Sequence, residues 1–423
     1  MFQVLGSSWA LLLGMMLLMV GNGLQGTLLG VRGGMENFST FSMSIIMSAY
    51  FLGFLGGSRM APWMIRRVGH VRVFAALGSF ISAVLILYPT VPHPAAWTIG
   101  RVVIGFCFSG VYVTAESWLN NSASNENRGK ALSLYMMVQM FGIVAAQGLL
   151  AFGEPSGYIL FVIPSVLVSI SFAPILLSIS PTPAFERTKP LSLLALWNIS
   201  PLGCVGMFLL GGVFAAQFGM SAVWGFQAGL SIKEISFFVA SVYVGALVLQ
   251  YPIGWVSDKM DRRRLILIVA FMGGTAAVCG YFSGDNFVLL TIAGALIGGT
   301  SNPLYALLIA YTNDFLEHED MAAASGGLLF VNGVGAISGP LIVGWIMGAI
   351  GPSGYFAYLA VLMLGLSAYA AWRMTRRPSS HLEGTGHYTP VFYSASPVAV
   401  ELAQEVFIET ALREEEEAER SVS

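Results

Sequence analysis

Charged side chains are scarce in this sequence. They make up only 10% of its 423 residues, whereas hydrophobic residues make up 56%. Soluble domains carry about 25% charged residues, so this chain has too few charges to cover a surface exposed to water. Its apolar residues form twelve continuous runs long enough to cross a bilayer as helices, whereas a membrane barrel would show short alternating strands. The sequence therefore predicts an all-α membrane protein with twelve transmembrane helices.

The signatures of common enzyme and cofactor sites are also missing. No Gly-x4-Gly-Lys-Ser/Thr motif occurs, which argues against transport driven by ATP. The three cysteines lie in apolar runs without metal or redox spacing, and the five histidines fall in loops or in the C-terminal tail. Basic residues form no face suited to nucleic acid. We therefore expect no enzymatic activity, no cofactor, no metal site and no nucleic-acid partner.

Positive charge is nearly absent from one side of the predicted membrane segment. Of the 20 lysines and arginines, only Arg32 and Lys233 fall in loops on that side, and Arg101 falls within a span. The others lie in the opposite loops and in the C-terminal tail. Because basic loops stay in the cytoplasm, this distribution predicts that both termini are cytoplasmic.

A cationic loop occurs at corresponding places in the two halves of the chain. The second copy runs from Gly254 to Arg264, and a diverged first copy runs from Pro62 to Arg72. The same offset pairs Gln25 with Gln217. A largely apolar chain that repeats at half its length is built as two matched membrane halves, an architecture typical of transporters.

The repeat divides the chain into four segments. We expect an N-terminal six-helix bundle at 1–180, a proline-rich cytoplasmic linker at 181–201, a C-terminal six-helix bundle at 202–375 and a cytoplasmic acidic tail at 376–423. The pattern from Pro397 onward indicates a helix within the tail. Two interpretations of it stay open: a solvated helix, or a segment that docks on a partner or on the cytoplasmic loops.

The loop at 254–264 resembles a signature of the major facilitator superfamily, Gly-x3-Asp-Arg/Lys-x-Gly-Arg-Arg/Lys, with Asp261 in place of the second glycine. Arg101-x3-Gly105 in span 4 resembles the family's Arg-x3-Gly motif. The stretch from Glu116 to Gly129 is similar to a bacterial branch of small permeases in this family. The resemblance implies two pseudo-symmetric six-helix bundles around a cavity that opens alternately to each side. It also implies a monomer in the bacterial inner (plasma) membrane.

The two cationic loops are expected to gate the cytoplasmic side. The residues that carry this expectation are Arg67, Gly69 and Arg72 in the first loop, and Gly254, Asp258, Lys259, Arg262 and Arg263 in the second. By resemblance to the family, Asp314 is expected to pair with Arg262, and Glu116 is the equivalent candidate for Arg67 or Arg72. Exposed ion pairs are worth about 0–1 kcal/mol, so such pairs can break during transport.

Two ionisable residues, Arg101 and Glu116, lie clearly inside a span, where a charge is costly and therefore a functional candidate. Together with Tyr112 they share one face of a helix, but about 22 Å of helix axis separates the two charged residues, so they cannot pair directly. For Arg101, substrate binding or proton coupling stands against a structural bond to a neighbouring helix. For Glu116, a structural latch stands against a protonatable coupling role.

Amide side chains mark the same set of helices. Asn22 and Gln25 share one side of span 1, Gln217 takes the equivalent place in span 7, and Asn302 and Tyr305 lie one turn apart in span 10. The family resemblance places spans 1, 4, 7 and 10 around the cavity, where these groups would orient a small ligand between apolar walls. Hydrogen bonding between helices is the alternative for each residue alone.

These observations predict a secondary transporter that moves a small solute across the membrane by rocking its two halves, as a proton-coupled antiporter or symporter. Proton coupling is expected because Arg101 and Glu116 are the charges available within the spans. A mostly apolar cavity slightly favours export of an amphipathic compound. The expected partners are a small-molecule substrate, protons and the lipid bilayer. The alternatives are an uncoupled uniporter and a transporter-shaped receptor or regulator whose acidic tail signals.

Overall fold

The computed structural model describes residues 2–122, 128–177, 192–316 and 318–376, together with residues 396, 398–400 and 402–405 of the tail. All regular structure in these residues is helical. The first half contains α1 (Phe2–Met35), α2 (Thr40–Val68), α3 (His70–Thr90), α4 (Pro94–Ser122), α5 (Arg128–Phe152) and α6 (Ile159–Leu177). The second half contains α8 (Pro201–Ala215), α9 (Ser221–Gln227), α10 (Ile232–Ser257), α11 (Arg262–Phe282), α12 (Phe287–Asn313), α13 (His318–Ile350) and α14 (Gly354–Met374), and is preceded by the short α7 (Leu193–Ile199).

The prediction of an all-α membrane protein is confirmed. Eleven helical segments among the described residues are long and apolar enough to cross a membrane, and the apolar stretch Ile159–Pro174 of α6 adds a shorter one. A π-helical turn at Ala216–Met220 joins α8 to α9, so that the two form the single span Pro201–Gln227. Of the predicted linker, residues 181–191 lie outside the described residues, and the remainder contains α7.

The two halves repeat the same helix packing. In the first half α2 packs on α4, α1 on α5 and α3 on α6; in the second half the equivalent pairs are α10 with α12, α8 with α13 and α11 with α14. Gly53 of α2 and Gly245 of α10 occupy equivalent places in the repeat, and a Cβ on either would overlap a backbone carbonyl of the facing helix. Small residues permit this close approach where no hydrophobic force draws helices together in lipid. The two matched halves of the sequence are therefore also matched in structure.

We call the end of the bundle that carries Gly69 and residues 258–261 the basic end, and the opposite end the far end. The main contacts between the halves join α2 to α13, α5 to α10, and α1 to α9. At the far end α1 lies so close to α9 that a Cβ on Gly30 would overlap the side chain of Ala222. Gln227 Nε2 donates a hydrogen bond to Thr40 Oγ1 there. These contacts close the far end between the two halves.

Candidate functional site

A cavity lies between the two halves, near the middle of the spans. It contains about 1010 Å³ of empty space, counting the part continuous with solvent. Its walls are largely apolar and aromatic. The polar side chains that line it include Asn22, Gln25, Arg101, Tyr112, Gln217 and Asn332.

Arg101 is the centre of the polar part of this cavity. Its side chain is only 3% exposed, and its Nη1 donates a 2.8 Å hydrogen bond to Oε1 of Gln25. The guanidinium carbon lies 4.6 Å from the centre of the Tyr50 ring, a distance at which the ring face attracts a cation. Nη2 contacts the sulfur of Met47 at 3.6 Å. Nε has no hydrogen-bond acceptor.

The polar groups around Arg101 form one hydrogen-bonded chain. Gln25 Nε2 donates to Asn22 Oδ1 at 3.1 Å, Asn22 Nδ2 donates to the hydroxyl of Tyr112 at 3.2 Å, and that hydroxyl donates to the sulfur of Met19 at 3.2 Å. Arginine can only donate, so its bond to Gln25 Oε1 fixes the direction of every later bond in the chain. The amide oxygens of Gln25 and Asn22 thus each accept a hydrogen bond from the protein.

The structure also includes a residue that the sequence interpretation missed. Tyr50 of α2 lines the cavity and packs against both Arg101 and Phe54. The signal in the sequence was the aromatic group Tyr50, Phe51 and Phe54, which all line the cavity. Aromatic residues are common on lipid-facing surfaces of spans as well, and the sequence alone does not distinguish the two positions.

In the second half, Gln217 faces the cavity from the π-helical turn between α8 and α9. Its Nε2 lies 3.2 Å from Ser301 Oγ of α12. π-helical turns often occur at functional sites because the extra residue changes which side chains face inward. Gln217 therefore lies opposite Gln25, as its equivalent place in the repeat predicts, but it has no arginine beside it.

Asn302 and Tyr305 of α12 do not line the cavity. Asn302 Nδ2 donates to the carbonyl of Gly298 within its own helix, at 3.2 Å. Tyr305 is fully buried against Phe214. The structure therefore places both inside the second half, as packing residues behind the cavity wall.

Glu116 also lies outside the cavity lining and is fully buried towards the basic end. Its carboxylate accepts a 3.1 Å hydrogen bond from the hydroxyl of Tyr135 and a 3.0 Å bond from the backbone N–H of Ser396 in the tail. These partners take the place of the expected Arg67 or Arg72 in this structure: Arg67 stacks on Trp63, 5.3 Å from the ring centre, and Arg72 is exposed. Gly69 ends α2 with a φ of 85°, which allows the tight turn into α3.

In the second cationic loop, Arg262 forms a buried ion pair with Asp314. Burial raises the pKa of the Asp314 carboxyl to about 7, although the charge of Arg262 opposes this shift. Arg262 begins α11 and Asp314 follows α12, so the pair joins two helices of the same half. The pairing of Arg262 with Asp314 that the sequence analysis expects is thus present, and it joins two helices of the second half.

The rest of this loop is organised locally. Asp261 caps α11 by accepting from the backbone N–H of Arg263 at 2.9 Å and pairs with its guanidinium at 2.9 Å. Burial acts to raise the pKa of Asp261, but the hydrogen bonds and charge of Arg263 outweigh it and lower the pKa. The Lys259 ammonium lies 3.7 Å from the centre of the Trp255 ring. The N–H of Asp258 donates to the carbonyl of Gly254 at 3.3 Å.

Comparison with known proteins gives concordant results. The chain matches the family model described as Major Facilitator Superfamily over residues 11–231 and 202–403. A protein of Salmonella newport named "Uncharacterized MFS-type transporter YcaD" is 24% identical over 341 residues, which cover 80% of this chain and 88% of that protein. The protein of the same name from Escherichia coli O139:H28 is 25% identical over a stretch of the same length.

Two solved structures show the same fold. The nucleoside transporter NupG (D323A mutant) superposes with a TM-score of 0.74 at 14% identity, over 87% of this chain and 99% of its own. A D-xylose–proton symporter superposes with a TM-score of 0.65 at 14% identity, over 85% of this chain and 95% of its own. Identities this low establish the shared helix arrangement alone.

Proposed function

This chain belongs to the major facilitator superfamily, and we propose that it is a secondary active transporter whose cavity around Arg101 binds the transported solute. The observation that carries this proposal is the position of the Arg101–Gln25–Asn22–Tyr112 chain. It lines a cavity between two matched halves, at the place where alternating access would expose it first to one side and then to the other. The basic end would face the cytoplasm, as the distribution of basic residues predicts.

We infer the kind of solute from the cavity walls. Phe51, Phe54, Phe214 and Phe218 line the cavity beside one compact polar cluster. Such a surface suits an amphipathic compound better than a sugar, which needs polar partners all around it. Export of an amphipathic compound by a monomer in the bacterial plasma membrane is the form of the proposal that we favour, with no enzymatic step and no cofactor.

Proton coupling is part of the proposal and rests on Glu116. Among the described residues within the spans, Glu116 is the only acidic side chain that is fully buried, and carboxyl groups inside spans commonly serve as proton relays. One of the structural relatives is named as a D-xylose–proton symporter. An uncoupled uniporter is the rival, and its flux would not respond to a pH gradient.

A receptor or regulator built on the same fold is the other rival. Deleting residues 378–423 separates the two, because transport survives this deletion in a transporter whereas the output of a receptor that signals through its tail is lost. The assay is solute flux into liposomes containing the purified full-length protein or the truncated protein. Flux that is absent from both, together with ligand binding that persists in both, would favour the receptor.

A further inference from the structure

The charge of the cavity is unbalanced. Among the described residues, Arg101 is the only charged side chain that lines it, and none of the ion pairs that they form includes Arg101. A buried cation without a carboxylate is costly, and the ring face of Tyr50 offsets only part of that cost. The cavity therefore holds a net positive charge where the solute would bind.

The hydrogen-bonding groups have the same bias. Because the chain of bonds runs from Arg101 through Gln25 and Asn22 to Tyr112, each of these amide oxygens already accepts one hydrogen bond from a protein donor. The Nε of Arg101 is buried without an acceptor. A guanidinium presents paired N–H donors in a fork that matches the two oxygens of a carboxylate or phosphate.

We propose that the transported solute is an organic anion, with a carboxylate or phosphate bound to Arg101 and an apolar, aromatic body packed against the phenylalanine walls. This assignment rests on the proposed function. It names the chemistry of the solute's polar group. An amphipathic compound could otherwise carry a cation or a neutral amide at that position. The anion would supply the missing acceptor of Nε and balance the charge.

The test is a thermal-unfolding series on the purified full-length protein with matched naphthalene compounds. The anions are naphthalene-1-carboxylate and 1-naphthyl phosphate, and the controls are the neutral naphthalene-1-carboxamide and the cationic 1-naphthylmethylammonium. We expect one or both anions to raise Tm at millimolar concentration while the controls do not. Arg101→Gln should raise the half-saturating concentration about 10- to 100-fold, and the matched exposed change Arg376→Gln should leave it unchanged.

Three outcomes would overturn the assignment: stabilisation by the amide or the ammonium compound, stabilisation by an anion that survives Arg101→Gln, or no stabilisation by either anion. Arg101→Lys keeps the positive charge but lacks the paired N–H donors, and it provides a folded variant if Arg101→Gln does not fold. Its affinity for the anion should lie between those of the wild-type protein and Arg101→Gln. The failure of transport itself looks different. An anion that binds but is not transported into proteoliposomes would support the anion site and contradict the proposed transport. Transport of a neutral or cationic solute would support the proposed function and contradict the assignment of an anionic solute.

A second, independent observation concerns the tail. Residues 396, 398–400 and 402–405, which we call the tail segment, lie against the basic end of both halves. The N–H of Ser396 donates to Glu116 of α4 at 3.0 Å. Gln404 Nε2 donates to the carbonyl of Met321 of α13 at 2.9 Å and also bonds Ser325. The tail segment is therefore bonded to the first half at one end and to the second half at the other.

The tail segment is packed as a core element rather than solvated. Its apolar side chains, Val398, Ala399, Val400, Leu402 and Ala403, are all at most 9% exposed and belong to the main hydrophobic cluster. Within the described residues, the main helix contacts between the halves do not include α4 with α12 or α13. The tail segment thus joins the halves at the basic end, where the helices themselves do not pack closely.

We infer that the tail segment is a built-in plug that closes the basic end and must leave for transport. With the far end already closed by α1 and α9, the remaining route to the cavity passes the basic end, where the plug lies. It also lies between the helix ends that must approach each other when the far end opens. The plug therefore restrains the alternation of the two halves in two ways.

The plug is tested by the accessibility of a cavity cysteine. Ser58 of α2 lines the cavity, so Ser58→Cys is introduced after Cys107, Cys204 and Cys279 have been replaced by serine. Two truncations are compared in inside-out vesicles with a membrane-impermeant maleimide. A chain that stops after Arg377 should react severalfold faster than the full chain, whereas a chain that stops after Glu405, which keeps the plug, should react like the full chain.

Equal labelling of the two truncated chains would overturn the plug. Leu402→Asp in the otherwise full chain provides a second variant, because it places a charge at a fully buried position of the plug and should increase labelling in the same way. A folded Leu402→Asp protein with unchanged labelling would likewise contradict the inference.

Discussion

Arg101 of α4 donates a 2.8 Å hydrogen bond to Gln25 of α1, and this single contact joins two helices, fills one lone pair of an amide and orients the rest of the polar chain. It sets which atoms of the cavity donate and which accept. The bond thus connects a residue that is costly to bury with the chemistry that the cavity can recognise.

A carboxylate in place of the Gln25 amide should abolish anion binding without unfolding the protein. Gln25→Glu is nearly isosteric and would place a negative charge beside Arg101, so it would neutralise the cavity from within. We expect the effect of naphthalene-1-carboxylate on Tm to disappear. Gln217→Glu is the matched control, because the Gln217 side chain bonds Ser301 and has no arginine beside it. A carboxylate there is buried without a positive partner, so this variant should lower the Tm of the protein itself. Anion binding retained in Gln25→Glu would contradict the charge argument.

Close helix packing in the first half should depend on Gly53. A Cβ there would overlap the carbonyl oxygen of Val102, so we expect Gly53→Ala to lower the free energy of unfolding by about 1–3 kcal/mol, as overpacking generally does. Gly56→Ala, one turn away, is the control, since its Cβ would meet only Phe106 at 3.8 Å. Thermal unfolding of both variants checks this. Equal Tm values for Gly53→Ala and Gly56→Ala would show that α2 and α4 can move apart at little cost, and would contradict the expected dependence on Gly53.

Stability should depend on pH through Asp314. Burial raises its pKa to about 7, from about 3.9 in an unfolded chain. The folded state therefore binds the proton more tightly, and this contribution is full below about pH 4 and is lost as pH rises through about 7. Asp314→Asn cannot titrate, so the Tm of the wild-type protein should fall relative to that of the variant across this window. Parallel Tm curves would contradict the shifted pKa.

Glu116→Gln should separate binding from coupling. The substitution keeps one oxygen to accept from the Ser396 N–H and gains an amide N–H that can donate to the Tyr135 hydroxyl, but it removes the proton site. In proteoliposomes, we expect it to bind the solute normally, by thermal shift, yet fail to accumulate it when a pH gradient is imposed. Flux down a solute gradient should remain. Accumulation driven by the pH gradient in Glu116→Gln would assign the coupling to another group or show that protons are not coupled.

Much of the fold could be predicted from the sequence because lipid imposes simple requirements. Continuous apolar runs indicate helices, and a repeat that pairs Gln25 with Gln217 indicates two matched halves. Arg101 could be singled out as a candidate because an arginine inside a span is rare and costly. These inferences use only residue type and spacing along the chain.

Other features depend on contacts between distant segments, which spacing does not reveal. Asn302 and Tyr305 carry polar groups as Asn22 and Gln25 do, yet Asn302 bonds within its own helix and Tyr305 packs against Phe214, away from the cavity. Glu116 and Ser396 are 280 residues apart in the chain. The apolar residues of the tail indicate a helix with one buried face, and only the fold shows that this face lies against both halves of the protein.

The measurement that tests the central claim most directly is solute counterflow in proteoliposomes, with radiolabelled naphthalene-1-carboxylate as the solute. The full-length protein is compared with Arg101→Gln and with Arg376→Gln, after all three have been shown to fold. If the cavity around Arg101 binds the transported solute, counterflow occurs in the wild-type protein and in Arg376→Gln and is lost in Arg101→Gln. Counterflow at the wild-type rate in Arg101→Gln would contradict the account.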